Sequence, residues 1–253
     1  MKRHKLAYGP HESQFGHLYE PVDPGDRIPL VVLIHGGFFS TRFTLTIETA
    51  VARLLAQRGA VVWNVEYRRV EEEGGGWPGT GADAVAALRA LDDVVPAALP
   101  ADWASRVAFD DVAVVGHSAG GLLAVWAPAE VAGRTKRARI TRVVAQSAVL
   151  DLTHPQTCNR PTPRNLMGGR YVDIPERYAR ASPVHAPVFD AHVVAIHAGD
   201  DAAVPVESSR RYVEAATARG QSAELIVVPG EGHDAFVDPR SACTRQTLRV
   251  LGI

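Results

Sequence analysis

Three residue types with chemistry to offer occur in one chain order, each directly after an apolar run. Gly116-His117-Ser118-Ala119-Gly120 lies between the run at 112–115 and a Gly/Ala/Leu-rich segment from Gly121. Asp200 and Asp201 follow the run at 192–197, and His233 follows the run at 224–228. A serine hydroxyl is a poor nucleophile until a base takes its proton, and an imidazole does this best when a carboxylate holds its other nitrogen. The order Ser, acid, His and the pattern G-x-S-x-G belong together: the glycines make room for a sharp strand-to-helix turn that lifts the serine oxygen above a sheet. G-x-S-x-G alone is a weak signal; flanked by a strand pattern and a helix pattern, it is a strong one.

Attack on a carbonyl creates an oxyanion, which backbone N–H groups can stabilise. The residue after the nucleophile, Ala119, supplies one such donor. The stretch "PLVVLIHGGFFSTRF" from Pro29 ends an apolar run in His35-Gly36-Gly37 and two phenylalanines, so Gly37 and Phe38 are the other expected donors. Glycine suits this loop because no Cβ stands between its N–H and a substrate.

These groups need a scaffold that brings strand ends together. Six apolar, β-branched runs, at 30–34, 60–65, 112–115, 140–146, 192–197 and 224–228, alternate mostly with helical patterns. Such alternation predicts an α/β fold with a doubly wound, mostly parallel sheet flanked by helices. Segments around 6–8 and 15–19 read as added edge strands. Ala84, Leu88, Leu91 and Val95 repeat at helical spacing, with Thr80 and Asp83 expected as a capping box. Residues 152–188 are rich in Pro and Arg without a clear strand; they read as a short helical lid on a single domain spanning 1–253. A lid this short offers little apolar wall, which favours short acyl groups.

With 27 Lys plus Arg against 28 Asp plus Glu, the net charge of −1 gives no field to draw the chain onto nucleic acid or an anionic membrane. No apolar h-region follows the basic N-terminus and no run is long enough to span a bilayer, so a cytoplasmic protein acting on a small molecule is expected. Cys158 and Cys243 stand far apart, with neither CxxC spacing nor a zinc pattern. Neither a metal nor another cofactor is expected.

In order, the HGG loop, "NVEYRR", "GGGWP", GHSAGG, "DAAVP" and "GEGH" resemble the α/β-hydrolase superfamily, in the HGG-type esterase branch that includes kynurenine formamidases and small carboxylesterases. The likeness runs from about Leu30 to the end of the chain. It implies Ser118, Asp201 and His233 as a catalytic triad, Asp201 being the aspartate that opens D-x-x-V-P, and an oxyanion hole at Gly37, Phe38 and Ala119. Chain order then leaves His35 and His117 to fix their own loops. Phe38 stands where other relatives carry a third glycine, as in formamidase-like members. The activity implied is cofactor-free cleavage of a small carboxylic ester or activated amide through an acyl-enzyme. An arylformamidase, an acyltransferase or cyclase on the same triad, and a non-catalytic binding protein are the alternatives, in that order.

Around this centre, Phe39 and Trp77, with Phe38 and Trp126, either line a substrate pocket or pack in the core, and Leu166 and Met167 extend the pocket from the lid. Arg160, Arg164 and Arg170 are candidates for a substrate carboxylate. Glu66 and Arg68 are expected as a structural pair.

Overall fold

The apolar runs assemble into one eight-stranded sheet in a computed structural model that describes residues 1–103 and 105–253. Its strands are β1 (Arg3–Ala7), β2 (Phe15–Tyr19), β3 (Ile28–Ile34), β4 (Val61–Val65), β5 (Val107–His117), β6 (Ile140–Gln146), β7 (His192–Ala198) and β8 (Ala223–Val228). They lie side by side in the order β1-β2-β4-β3-β5-β6-β7-β8. β1, β2 and β4 pair antiparallel; every pairing from β4 to β8 is parallel. This is the doubly wound α/β-hydrolase arrangement, with the two expected edge strands.

The central strands are mostly apolar where both of their faces are covered. Leu30, Val32 and Ile34 of β3 pack into one buried cluster, and Val31 and Leu33 into the other. Helices α1 (Thr49–Gln57), α2 (Gly79–Arg89), α3 (Val94–Ala98), α4 (Ala119–Glu130), α5 (Pro155–Cys158), α6 (Pro161–Met167), α7 (Pro175–Ala181), α8 (Val206–Ala218) and α9 (Ala242–Leu251) complete the chain. Val51 and Leu55 of α1 and Leu248 of α9 close one face; Leu88 of α2, Leu122 of α4 and Tyr212 of α8 close the other.

The structure corrects two local expectations. β5 starts five residues before the apolar run at 112–115, and the exposed Asp110 and Asp111 within it disguise its first half. The capping box does not form: α2 begins at Gly79 without a side-chain cap, Thr80 donates from Oγ1 to the Arg68 carbonyl, and Asp83 accepts from Arg68 and Gln14. A tertiary partner for each side chain outcompetes the local cap.

Between β6 and β7 the chain folds as α5, α6 and α7. Each opens on a proline in its first turn, where the missing N–H costs nothing. Leu166, Met167 and Tyr178 are fully buried, and the Trp77 amide donates to the Leu166 carbonyl at 2.8 Å, so this segment is anchored to the body of the fold. Both cysteines are free and buried. Among the described residues no helix is long and apolar enough to cross a membrane.

Candidate active site

Ser118 sits between the last residue of β5 and the first of α4, at φ 53° and ψ −115°. A side chain rarely adopts such a backbone, and it is held here by close packing on both sides. A Cβ on Gly116 would come 2.2 Å from the Gly120 carbonyl oxygen; one on Gly120 would come 2.1 Å from that of Ile34. Both glycines are therefore required by backbone approach, and the turn they permit leaves the Ser118 side chain above the sheet.

The ends of β7 and β8 supply the partners. Ser118 Oγ lies 2.9 Å from His233 Nε2, and His233 Nδ1 lies 2.7 Å from Asp201 Oδ2. With the Nδ1 proton donated to a carboxylate, Nε2 is left as the acceptor for the serine hydroxyl. The second oxygen of Asp201 accepts the amides of Ala203 and Val204, each at 2.8 Å. Burial pushes the Asp201 carboxyl up, but the bonds from His233 and the Val204 amide outweigh it and hold the pKa at about 2. Asp200 is exposed and, among the described residues, only its backbone is engaged, donating to the Glu231 carbonyl at 2.9 Å.

Two further histidines frame this chain of bonds. His117 donates from Nε2 to the His233 carbonyl at 2.9 Å, with the two rings 4.7 Å apart. Burial, followed by the neighbouring His233, pushes its pKa down to about 3, so it is neutral. His197, fully buried at the end of β7, meets the Val204 carbonyl at 2.9 Å and the Ser209 hydroxyl at 2.8 Å, and stands 3.7 Å from Asp201. Burial lowers its pKa as well. His197 is absent from the residues that sequence reasoning singles out, although a histidine ending a buried apolar run was the available signal.

The HGG loop is braced from beneath. His35 lies 2.6 Å from the Gly36 carbonyl and 2.7 Å from Glu66, and stacks on Tyr67 with ring centres 4.4 Å apart. Burial raises the Glu66 carboxyl, but its bonds from His35 and the Leu45 amide, with the charges of His35 and Arg69, bring it below its ordinary value. Above this brace Gly37, Phe38 and Phe39 all take positive φ, at 109°, 59° and 58°. The amides of Gly37, Phe38 and Ala119 donate to no acceptor among the described residues. The expected Glu66–Arg68 pair is replaced: Arg68 binds Asp83 at 2.6 Å, while Glu66 faces His35 and Arg69.

A cavity of about 60 Å³ opens at Ser118, lined by Phe38, Phe39, Ala119, Val149, Leu152, Thr157, Arg160, Thr162, Pro163, Ala203, Val204 and His233. It holds a few water-sized groups. Phe39 is in this lining as expected, but Trp77, Leu166 and Met167 are not. Leu166 and Met167 turn inward to the core, and Trp77 packs edge-on against Trp126 at 4.5 Å beside a separate surface groove of about 1070 Å³. The lining comes instead from Val149 and Leu152, just beyond β6, and from 157–163; strand-end position was the available signal for the first two. Among the described residues no cluster of three or more His, Cys, Asp or Glu is arranged to hold a metal ion.

The fold is shared widely among solved structures. A truncated carbohydrate esterase from gut microbiota superposes with a TM-score of 0.83 at 18% identity, covering 100% of this chain and 95% of that one. A thermophilic esterase from the Planctomycetes species Thermogutta terrifontis gives 0.73 at 20% identity, over 99% and 90% of the two chains. An acetyl ester-xyloside bifunctional hydrolase from Caldicellulosiruptor lactoaceticus gives 0.74 at 19%, over 98% and 96%. At these identities the likeness is one of fold. Comparison with curated proteins finds no match. The sequence profile of the prolyl oligopeptidase family matches residues 46–251, which include Ser118, Asp201 and His233, and the chain belongs to that family.

Proposed function

We propose that this protein is a serine hydrolase that cleaves small carboxylic esters through an acyl-enzyme, with Ser118 as nucleophile, His233 as base and Asp201 as the acid that orients it. The observation carrying this reading is the continuous Ser118–His233–Asp201 bonding, at 2.9 and 2.7 Å, beside amides with no other partner among the described residues.

In the acylation step His233 Nε2 takes the Ser118 proton as Oγ bonds to the substrate carbonyl carbon. The carbonyl electron pair moves onto oxygen, where the amides of Ala119 and Phe38 or Gly37 receive it; one such donor is worth about 10²–10³ in kcat. Collapse of this intermediate expels the leaving group, which takes its proton from His233. Water, deprotonated by the same imidazole, then releases the acid and restores Ser118. The ionised Asp201 keeps Nδ1 protonated and stabilises the imidazolium formed in each half-reaction.

A small cavity supports a short acyl group, and the carbohydrate and acetyl esterases among the structures of similar fold support an ester in preference to an amide. The test is a panel of 4-nitrophenyl acetate, butyrate and octanoate beside N-formylkynurenine and a peptide anilide. The reading expects kcat/KM to be highest on acetate or butyrate. Preference for the formamide would make the protein an arylformamidase, and preference for the anilide would make it a peptidase.

A further inference from the structure

Arg160 lines the cavity at Ser118, and among the described lining residues it is the one permanent charge; no Asp or Glu shares the lining. Its guanidinium is tethered: Nη1 donates to the carbonyl of Ala203, in the loop that carries Asp201, at 2.8 Å. Among the described residues that is the one hydrogen bond its side chain makes, and Thr157 and Thr162 line the same cavity. The backbone at Arg160 is extended, at φ −71° and ψ 154°, as suits a residue before proline, and Pro161 and Pro163 stiffen the first turn of α6. The two other arginines expected to meet a substrate carboxylate are placed differently. Arg170 is bound to Asp173 at 2.8 Å, and Arg164 is absent from the lining.

A planar cation held at one end by a carbonyl, in the lining of the same cavity as a nucleophilic serine, is a fork for a carboxylate. Resting on the serine-hydrolase reading above, we infer that Arg160 selects esters bearing a carboxylate a few atoms from the scissile carbonyl. A neutral substrate leaves the guanidinium with water, whereas an anionic one gains a charge-assisted hydrogen-bonded pair. The head is exposed, so solvent screens the gain to about 10-fold in kcat/KM at low salt.

The experiment uses two matched pairs that differ by one charge. Mono-4-nitrophenyl succinate against its methyl ester places the carboxylate on the acyl side, and 4-acetoxybenzoate against its methyl ester places it on the leaving-group side. In the wild type the carboxylate member of at least one pair is expected to be favoured about 10-fold in about 20 mM salt, with the ratio shrinking in about 500 mM salt. Arg160→Gln should bring that ratio to about one or below, Arg160→Lys should retain part of it, and Arg160→Glu should invert it. Ratios near one for both pairs in the wild type, or a ratio unmoved in Arg160→Gln, overturn the inference while leaving the hydrolase reading standing. Loss of turnover on every ester, neutral ones included, overturns that reading and this inference with it. The salt dependence is read on the wild type alone, so it does not depend on how any variant folds.

Discussion

Asp201 Oδ2 lies 2.7 Å from His233 Nδ1, while its neighbour Asp200 is exposed and makes no side-chain bond among the described residues. Two adjacent carboxylates thus have unequal access to the imidazole. Asp201→Asn should lower kcat by about 10⁴, by leaving His233 in the wrong tautomer, and Asp200→Asn should keep most activity. Steady-state kinetics on one ester separates them; the reverse pattern would move the acid to Asp200.

The same carboxylate sets an acid stability window. Its folded pKa of about 2 lies below the ordinary 3.8, so the stability it contributes is fully present above pH 3.8 and is lost as pH falls through 2. Unfolding curves of the wild type and Asp201→Asn should therefore converge between about pH 4 and pH 2. A constant gap across that range would mean the carboxylate is not ionised in the fold.

Sequence reading grouped Ser118, Asp201 and His233, which the fold brings within hydrogen-bond distance, because each follows a strand, and a strand's end is where an α/β sheet exposes its loops. It misjudged groups whose roles depend on distant packing. Trp77 faces Trp126, and Leu166 and Met167 turn inward, since a lid's apolar residues look alike whether they meet substrate or core. The Arg68 partner was unreadable for the same reason: Asp83 is delivered from the start of α2, fifteen positions along the chain.

His117 is neutral at a pKa of about 3 and donates to the His233 carbonyl. If the proposed mechanism holds, this bond positions His233, and His117→Phe should lower kcat by about 10-fold through a looser His233 loop. The shape of the pH–rate profile should not change. Loss of one limb of that profile would show that His117 titrates in the reaction.

Glu48 is fully buried with neither side-chain oxygen bonded among the described residues, and burial pushes its pKa up to about 8. The folded state then keeps a proton that the unfolded state releases near 4.5, so stability is complete below pH 4.5 and falls as pH rises to 8, by at most about 1.4 kcal/mol per pH unit. Glu48→Gln should remove this slope. Urea midpoints at about pH 5, 6.5 and 8 check it, and parallel curves for the two proteins would refute it.

The glycines flanking Ser118 differ from the glycine beside His233. A Cβ on Gly120 meets backbone oxygens at 2.1 and 2.4 Å, whereas at Gly232 nothing lies within 4 Å. Gly120→Ala should cost about 3 kcal/mol or more, and Gly232→Ala should stay within about 1 kcal/mol of the wild type by urea unfolding.

The proposed mechanism turns on one oxygen atom, Ser118 Oγ, and covalent labelling reads it directly. Incubation with a fluorophosphonate followed by peptide mass spectrometry should place a single adduct on Ser118. Ser118→Ala should keep the wild-type unfolding midpoint while losing both the adduct and ester turnover. An adduct on another residue, or ester turnover at the wild-type rate in Ser118→Ala, contradicts a mechanism in which Ser118 is the nucleophile.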